Sequence, residues 1–174
     1  RYGITYDPDQ EINITAGATQ AILTVISAMI KDEDEVIIIE PAYDSYAPSV
    51  RLNGGMVKYA TLAPPDFQID WEQLVRLITH RTKMIIINTP HNPTGSILSH
   101  EDLKEFERIV TTRDLMLLSD EVYEHLIYDN KVHESVCRYP KLAQRSFVVG
   151  SFGKTVHATG WKTGYVLAPE NLMA

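Results

Sequence analysis

Lys154 lies in Ser151-Phe152-Gly153-Lys154-Thr155, a small-residue loop directly after the apolar run Phe147-Val148-Val149 and the residue Gly150. A lone lysine is ordinarily a surface charge. An amine held partly desolvated loses basicity instead and becomes a nucleophile towards a carbonyl. Gly153-Lys154-Thr155 ends like a P-loop, but the first glycine of that motif would fall at Val148, so the phosphate-loop reading fails. Asp120 stands just past the apolar run Leu115-Met116-Leu117-Leu118. Taken alone it reads equally well as a helix N-cap; as a functional group, a carboxylate at that depth needs a cationic partner. Tyr123, three residues on, falls on the same side of a helical turn and can offer its hydroxyl to the same ligand, or simply pack.

Other segments add to this inventory. Asn92-Pro93-Thr94-Gly95 reads as a proline-glycine turn that brings an amide to the end of another apolar run. Gly17-Ala18-Thr19 opens a helical pattern, where free backbone N–H groups and the helix dipole suit an anion and Thr19 adds a hydroxyl. The dipole is worth only about 0.3–1 kcal/mol, so a phosphate there needs cationic help. Lys162 can supply it, and Ser151 can donate a hydrogen bond. Tyr43, after Pro41, can lay a ring on a flat ligand or fill a loop. The six histidines form no His-Glu-x-x-His or His-x-His pair, so metal chemistry gets little support.

These residues must be positioned by regular elements. Val36-Ile37-Ile38-Ile39, Met84-Ile85-Ile86-Ile87, Leu115-Met116-Leu117-Leu118 and Phe147-Val148-Val149 are runs of strand length, apolar on both faces. Gly164 to Ala168 reads as one further strand of unassigned direction. Helical patterns alternate with them: Ala18 to Lys31; a helix capped by Asp70 through His80, with Gln73 at the capping-box position; and a helix capped by Ser99. This predicts an α/β domain with a mainly parallel sheet and helices on both faces. Such sheets bind ligands beyond the carboxyl ends of their strands, and four strand ends deliver Tyr43, Asn92, Asp120 with Tyr123, and Ser151 with Lys154 to that rim.

The 174 residues, 44% hydrophobic and 22% charged, suit one ordinary globular domain. A net charge of -7 argues against a nucleic-acid backbone as partner. No apolar run approaches the roughly 20 residues of a membrane span. A single cysteine, Cys137, excludes a disulfide framework and favours a reducing compartment, so a cytoplasmic location is expected.

One ligand answers the whole set: a flat aromatic aldehyde with a phosphate and a ring nitrogen, which is pyridoxal 5'-phosphate. Lys154 would condense with the aldehyde and Asp120 would keep the ring nitrogen protonated. Asn92 and Tyr123 would hydrogen-bond the phenolic oxygen, while Tyr43 stacks on the ring. Gly17, Ala18, Thr19, Ser151 and Lys162 would hold the phosphate.

Gly17-Ala18-Thr19, Asn92-Pro93-Thr94-Gly95, Asp120-Glu121-Val122-Tyr123 and Ser151-Phe152-Gly153-Lys154, in this order and spacing, make the chain resemble the fold-type I, class I/II aminotransferases over essentially its whole length. Ser151-Phe152-Gly153-Lys154-Thr155 together with Thr159-Gly160-Trp161-Lys162 resembles the methionine, glutamine and kynurenine aminotransferases most. Many family members carry arginine where Lys162 stands, and lysine loses the planar bidentate fork. The resemblance implies transfer of an amino group from an amino acid to a 2-oxo acid, with Lys154 as covalent anchor and general acid–base. It further implies that residues 1–174 are the cofactor-binding large domain of a longer chain, a fragment lacking an N-terminal segment and a C-terminal small domain. That small domain usually carries the arginine gripping the substrate α-carboxylate, and a homodimer is implied. The competing expectations are a carbon–sulfur β-lyase using the same Lys154 and Asp120, and an aminotransferase-like ligand sensor of a transcription regulator.

Overall fold

Strands that are apolar on both faces need cover on both sides, and the computed structural model, which describes residues 2–174, supplies it. In chain order the elements are β1 (Ile12–Thr15), α1 (Ala18–Met29), β2 (Glu35–Glu40), α2 (Tyr46–Leu52), β3 (Met56–Thr61), α3 (Trp71–Leu77), β4 (Thr82–Asn88), α4 (His100–Arg113), β5 (Met116–Asp120), α5 (Pro140–Ala143), β6 (Ser146–Ser151), α6 (Phe152–Thr155), β7 (Gly164–Leu167) and α7 (Glu170–Met173). One seven-stranded sheet runs in the order β1-β7-β6-β5-β4-β2-β3. Strands β2 to β6 are mutually parallel. The strand whose direction the sequence left open, β7, is antiparallel to both β6 and β1.

The period-2 alternation of strand side chains divides the core in two. Ile37, Ile39, Ile85, Ile87 and Leu117 pack under Leu74 of α3, Phe106 and Ile109 of α4, and Leu142 of α5. Val36, Ile38, Met84, Ile86 and Leu118 pack under Ile22 and Ile26 of α1 and Val50 of α2. Each such side chain contributes about 1.5–3 kcal/mol on burial. The expected α/β architecture with helices on both faces is the one observed. Edge strands β1 and β3 carried no apolar run because much of each is exposed.

Several boundaries differ from the sequence expectation. Helix α1 stops at Met29 rather than Lys31, because Ile30 turns extended to bury its side chain and Lys31 N–H bonds the Asp34 carboxylate at 2.9 Å. Helix α3 stops at Leu77 rather than His80: Ile78 is extended, and Thr79 N–H donates to Thr82 Oγ1 at 2.9 Å. Asp70 does cap α3, but Gln73 completes no capping box, since its Oε1 accepts from Thr61 N–H across the sheet edge. Ser99 caps α4 and Asp102 reciprocates, forming the box there instead. β5 runs on past Leu118 to include Ser119 and Asp120.

Candidate functional site

The carboxyl ends of β4 and β5 are level, with Asn88 paired to Asp120, and β6 runs two residues further, from Val149 opposite Asp120 to Ser151. With the N-terminus of α1 and the loop after β2, these ends enclose a cavity of about 170 Å³. All ten residues singled out in the sequence line it: Gly17, Ala18, Thr19, Tyr43, Asn92, Asp120, Tyr123, Ser151, Lys154 and Lys162. Residues from six separate stretches of chain thus meet at one place.

Asp120 sits at the floor, 4% exposed, and no helix follows to make it an N-cap. Its Oδ2 accepts a 2.5 Å hydrogen bond from the Tyr46 hydroxyl, and its Oδ1 accepts from Val122 N–H at 3.3 Å. Burial disfavours the charged carboxylate and outweighs these two hydrogen bonds, pushing its pKa up to about 6. Burial and the neighbouring Asp120 charge push the Tyr46 phenol well above its ordinary value, so it stays a donor. A cation brought to the cavity would relieve that cost and hold Asp120 ionised.

Asn88 ties the rim together. Its Nδ2 donates to the Asp120 backbone carbonyl at 2.9 Å, and its Oδ1 accepts from Asn92 N–H at 2.7 Å. The Asn92-Pro93-Thr94-Gly95 segment is a turn, closed by Gly95 N–H on His91 O at 2.8 Å. Tyr123 lies in a non-helical turn, not on the helical turn expected, yet it faces the same cavity. Lys154, on the short α6, is solvent-exposed rather than the partly desolvated amine the sequence suggested; a four-residue helix at the rim gives it little cover. Its Nζ lies 5.4 Å from the Tyr123 ring centre. Ser151 caps α6 by accepting from Gly153 N–H at 3.1 Å, and its hydroxyl keeps one long 3.5 Å contact to Thr163 O.

The α1 N-terminus has the open geometry that an anion cradle requires. Gly17 sits at φ 87°, a left-handed conformation that suits glycine, and gives the helix no side-chain cap. Its leading N–H groups therefore stay open, and a Cβ on Gly17 would lie 3.6 Å from Lys162 Cε. Lys162 thus stands beside the helix end. Beneath, Gly164 packs so closely that an added Cβ would meet Ala18 N at 2.6 Å.

The donor set fits pyridoxal phosphate: an anion cradle with a lysine beside it, an amine, an amide and a phenol, and a buried carboxylate in want of a cation. Sequence reasoning missed Tyr46 and Asn88, which hold Asp120. The spacing of Tyr46 three residues after Tyr43 was the one available signal. It also missed the buried Glu121, whose carboxylate takes Ser119 Oγ at 3.0 Å, Val136 N–H at 3.0 Å and His133 Nε2 at 2.9 Å. Among the described residues no group of three or more His, Cys, Asp or Glu is arranged to hold a metal ion, and no helix is long and apolar enough to cross a membrane.

Comparison with known proteins gives a consistent picture. The family model described as aminotransferase class I and II matches residues 1–174. The chain is 43% identical over 173 residues to a methionine aminotransferase of Escherichia coli (strain K12), covering 99% of this chain and 45% of that protein. It is 37% identical over 182 residues to kynurenine–oxoglutarate transaminase 1 of Rattus norvegicus, covering 98% and 43% respectively. A crystal structure of YbdL from Escherichia coli, described as having a methionine aminotransferase function, superposes with a TM-score of 0.97 at 43% identity, covering 99% of this chain and 46% of that one. The chain therefore spans somewhat under half the length of these relatives.

Proposed function

The chain belongs to the class I and II aminotransferase family, and we propose that it is the pyridoxal phosphate-binding large domain of an enzyme that moves an amino group from an amino acid to a 2-oxo acid. One observation carries this reading above the others. A buried Asp120 with no cationic partner among the described residues shares a single cavity with an amine and an anion cradle. We take the amino donor to be methionine, glutamine or an aromatic or kynurenine-like amino acid; methionine and kynurenine stand in the relatives' names. Those names favour amino transfer over β-lyase or ligand-sensor roles.

When bound, pyridoxal phosphate supplies an electron-accepting pyridinium ring and an aldehyde that can carry an amino group. The chain's residues then divide the work. Gly17, Ala18, Thr19, Ser151 and Lys162 bind the phosphate, with backbone N–H groups doing most of the orienting and Lys162 supplying charge. Asp120 holds a proton at the ring nitrogen. Asn92 and Tyr123 bind the phenolic oxygen, and Tyr43 covers one ring face. Lys154 would hold the aldehyde end through its amine, and its Nζ, when free, would serve as the base and acid for the proton at the substrate α-carbon. The exposure of Lys154 is consistent with both tasks, since the amine must swing between them. The same reading carries a homodimer, in which the partner subunit contributes to each site, and a cytoplasmic location.

The test is to add pyridoxal phosphate to the longest natural polypeptide carrying this sequence, reduce with borohydride and locate the labelled peptide by mass spectrometry. Label on Lys154, lost together with turnover in Lys154→Ala, is the expected result. A folded, full-length chain that takes no label would overturn the proposal. Residues 1–174 alone are expected to bind cofactor poorly and turn over little; activity equal to that of the longer chain would refute the fragment assignment.

A further inference from the structure

Tyr46 stands outside the reactive set and is 2% exposed, yet it touches two of its members. As the first residue of α2 it sends its hydroxyl to Asp120 Oδ2 at 2.5 Å. Its ring meets the Tyr43 ring edge-on, with centroids 5.7 Å apart and planes at 74°. Among the described residues, Tyr46 is the one side chain that hydrogen-bonds the Asp120 carboxylate; the other contact is the long one from Val122 N–H. Glu121, the nearest carboxylate in sequence, is committed to Ser119, His133 and Val136. Tyr43, Tyr123, Lys154 and Lys162 share the cavity with Asp120.

We propose that Tyr46 is a positioning residue that decides where the proton between Asp120 and the cofactor's ring nitrogen resides, and that it also props Tyr43 against the ring. The inference rests on the pyridoxal phosphate reading above. A phenol donating to a carboxylate lowers the carboxylate's affinity for a proton, because the hydrogen bond favours the ionised form. With the phenol in place, the shared proton stays on nitrogen and the ring keeps its electron-accepting charge. Without it, the proton passes from the ring nitrogen to an Asp120 oxygen, and the pair's total charge is unchanged. The loss of one hydrogen bond to a charged group shifts that partition by about tenfold or more.

The test uses the longest natural polypeptide loaded with pyridoxal phosphate carrying a ¹⁵N label in its ring. Its nitrogen resonance reports protonation directly. Tyr46→Phe keeps the ring contact and removes the hydroxyl. It is expected to retain cofactor, to move the resonance towards the unprotonated position, and to lower kcat by about tenfold while KM changes by about twofold or less. Site-specific 3-fluorotyrosine at position 46 is a stronger donor, so it should move the resonance the opposite way and keeps the test decisive if Tyr46→Phe folds poorly. Tyr59→Phe, on an exposed hydroxyl that takes Arg51 at 3.2 Å, should match the unsubstituted protein. A resonance unmoved by either change at Tyr46, even with kcat reduced, makes Tyr46 merely structural and overturns the proposal. An unsubstituted protein that takes no cofactor removes the parent reading and this one together; cofactor bound with no shift removes this one alone.

Discussion

Gly164→Ala is expected to damage both stability and the anion cradle, and the size follows from the packing beneath α1. The new Cβ would lie 2.6 Å from Ala18 N and from Gly17 C, and 3.0 Å from Gly17 Cα. Ordinary carbon contacts are about 3.5–4.0 Å, so β7 and the helix end must part by roughly 1 Å. These are backbone atoms, with no flexible side chain to yield. Overpacking of this kind costs about 1–3 kcal/mol, which for a chain of this size lowers Tm by roughly 2–12 °C. Gly160 is the internal comparison: a Cβ there meets nothing within 4 Å, so Gly160→Ala should be neutral or stabilise by about 0.4–1 kcal/mol through the unfolded chain. Urea unfolding followed by circular dichroism measures the difference, and titration with pyridoxal phosphate measures the cradle. The Gly164 variant should bind cofactor more weakly even where it remains folded, because the α1 N-terminus moves relative to Lys162. If the two alanine variants unfold at the same urea concentration, the packing argument is wrong.

The remaining expectations concern buried charge and a helix end. In cofactor-free protein the folded pKa of Asp120, about 6, lies above its unfolded value near 3.9, so ionisation destabilises the fold as pH rises through that interval. Asp120→Asn should therefore be more stable than the unsubstituted chain at pH 7.5, by up to about 3 kcal/mol, with the gap closing towards pH 4. Unfolding free energies at both pH values check it, and a gap that widens on acidification would reverse the assigned sign. Glu121→Ala strips partners from His133 and Val136 N–H inside the fold and should cost about 3–5 kcal/mol, seen as a lowered urea midpoint. Ser99→Ala removes half of the α4 capping box and should cost about 1 kcal/mol by the same measurement.

The parallel core was legible because β2, β4, β5 and β6 are buried on both faces, so their apolar runs are continuous and bounded by polar residues. The rim was legible for the same reason: where such a run stops, the next polar residue is at the ligand-binding edge. What the sequence concealed was of two kinds. Strand β3 lies at one edge, where exposure dilutes the pattern; Gln73 went to Thr61 because a neighbouring strand offered an N–H that local sequence cannot reveal. Tyr46 and Asn88 act on Asp120 across 74 and 32 residues of chain. A tyrosine that packs and a tyrosine that holds a carboxylate look alike until the fold brings the carboxylate to it. The direction of β7 was hidden likewise, since four half-buried residues state neither neighbour nor sense.

The antiparallel insertion of β7 between β6 and β1 also governs how the molecule can come together during synthesis. Ile12, near the start of the chain, pairs with Leu167, and Thr15 with Gly164. The strand leading into the anion cradle is therefore held by a segment that leaves the ribosome only after β2 to β6. Closure of so long a loop is entropically slow, and contacts this distant in sequence delay folding. Strands β2 to β6 can assemble among themselves, since the connections between them are far shorter than the one that separates β1 from β7. Until β7 arrives, however, β6 presents a bare edge, and α1 has no floor under its first turn. The nascent chain thus passes through a stage with most of its core and an open, pairing-competent strand. A ligand at the α1 N-terminus could not rescue that stage, because the cradle is completed only once β7 is in place.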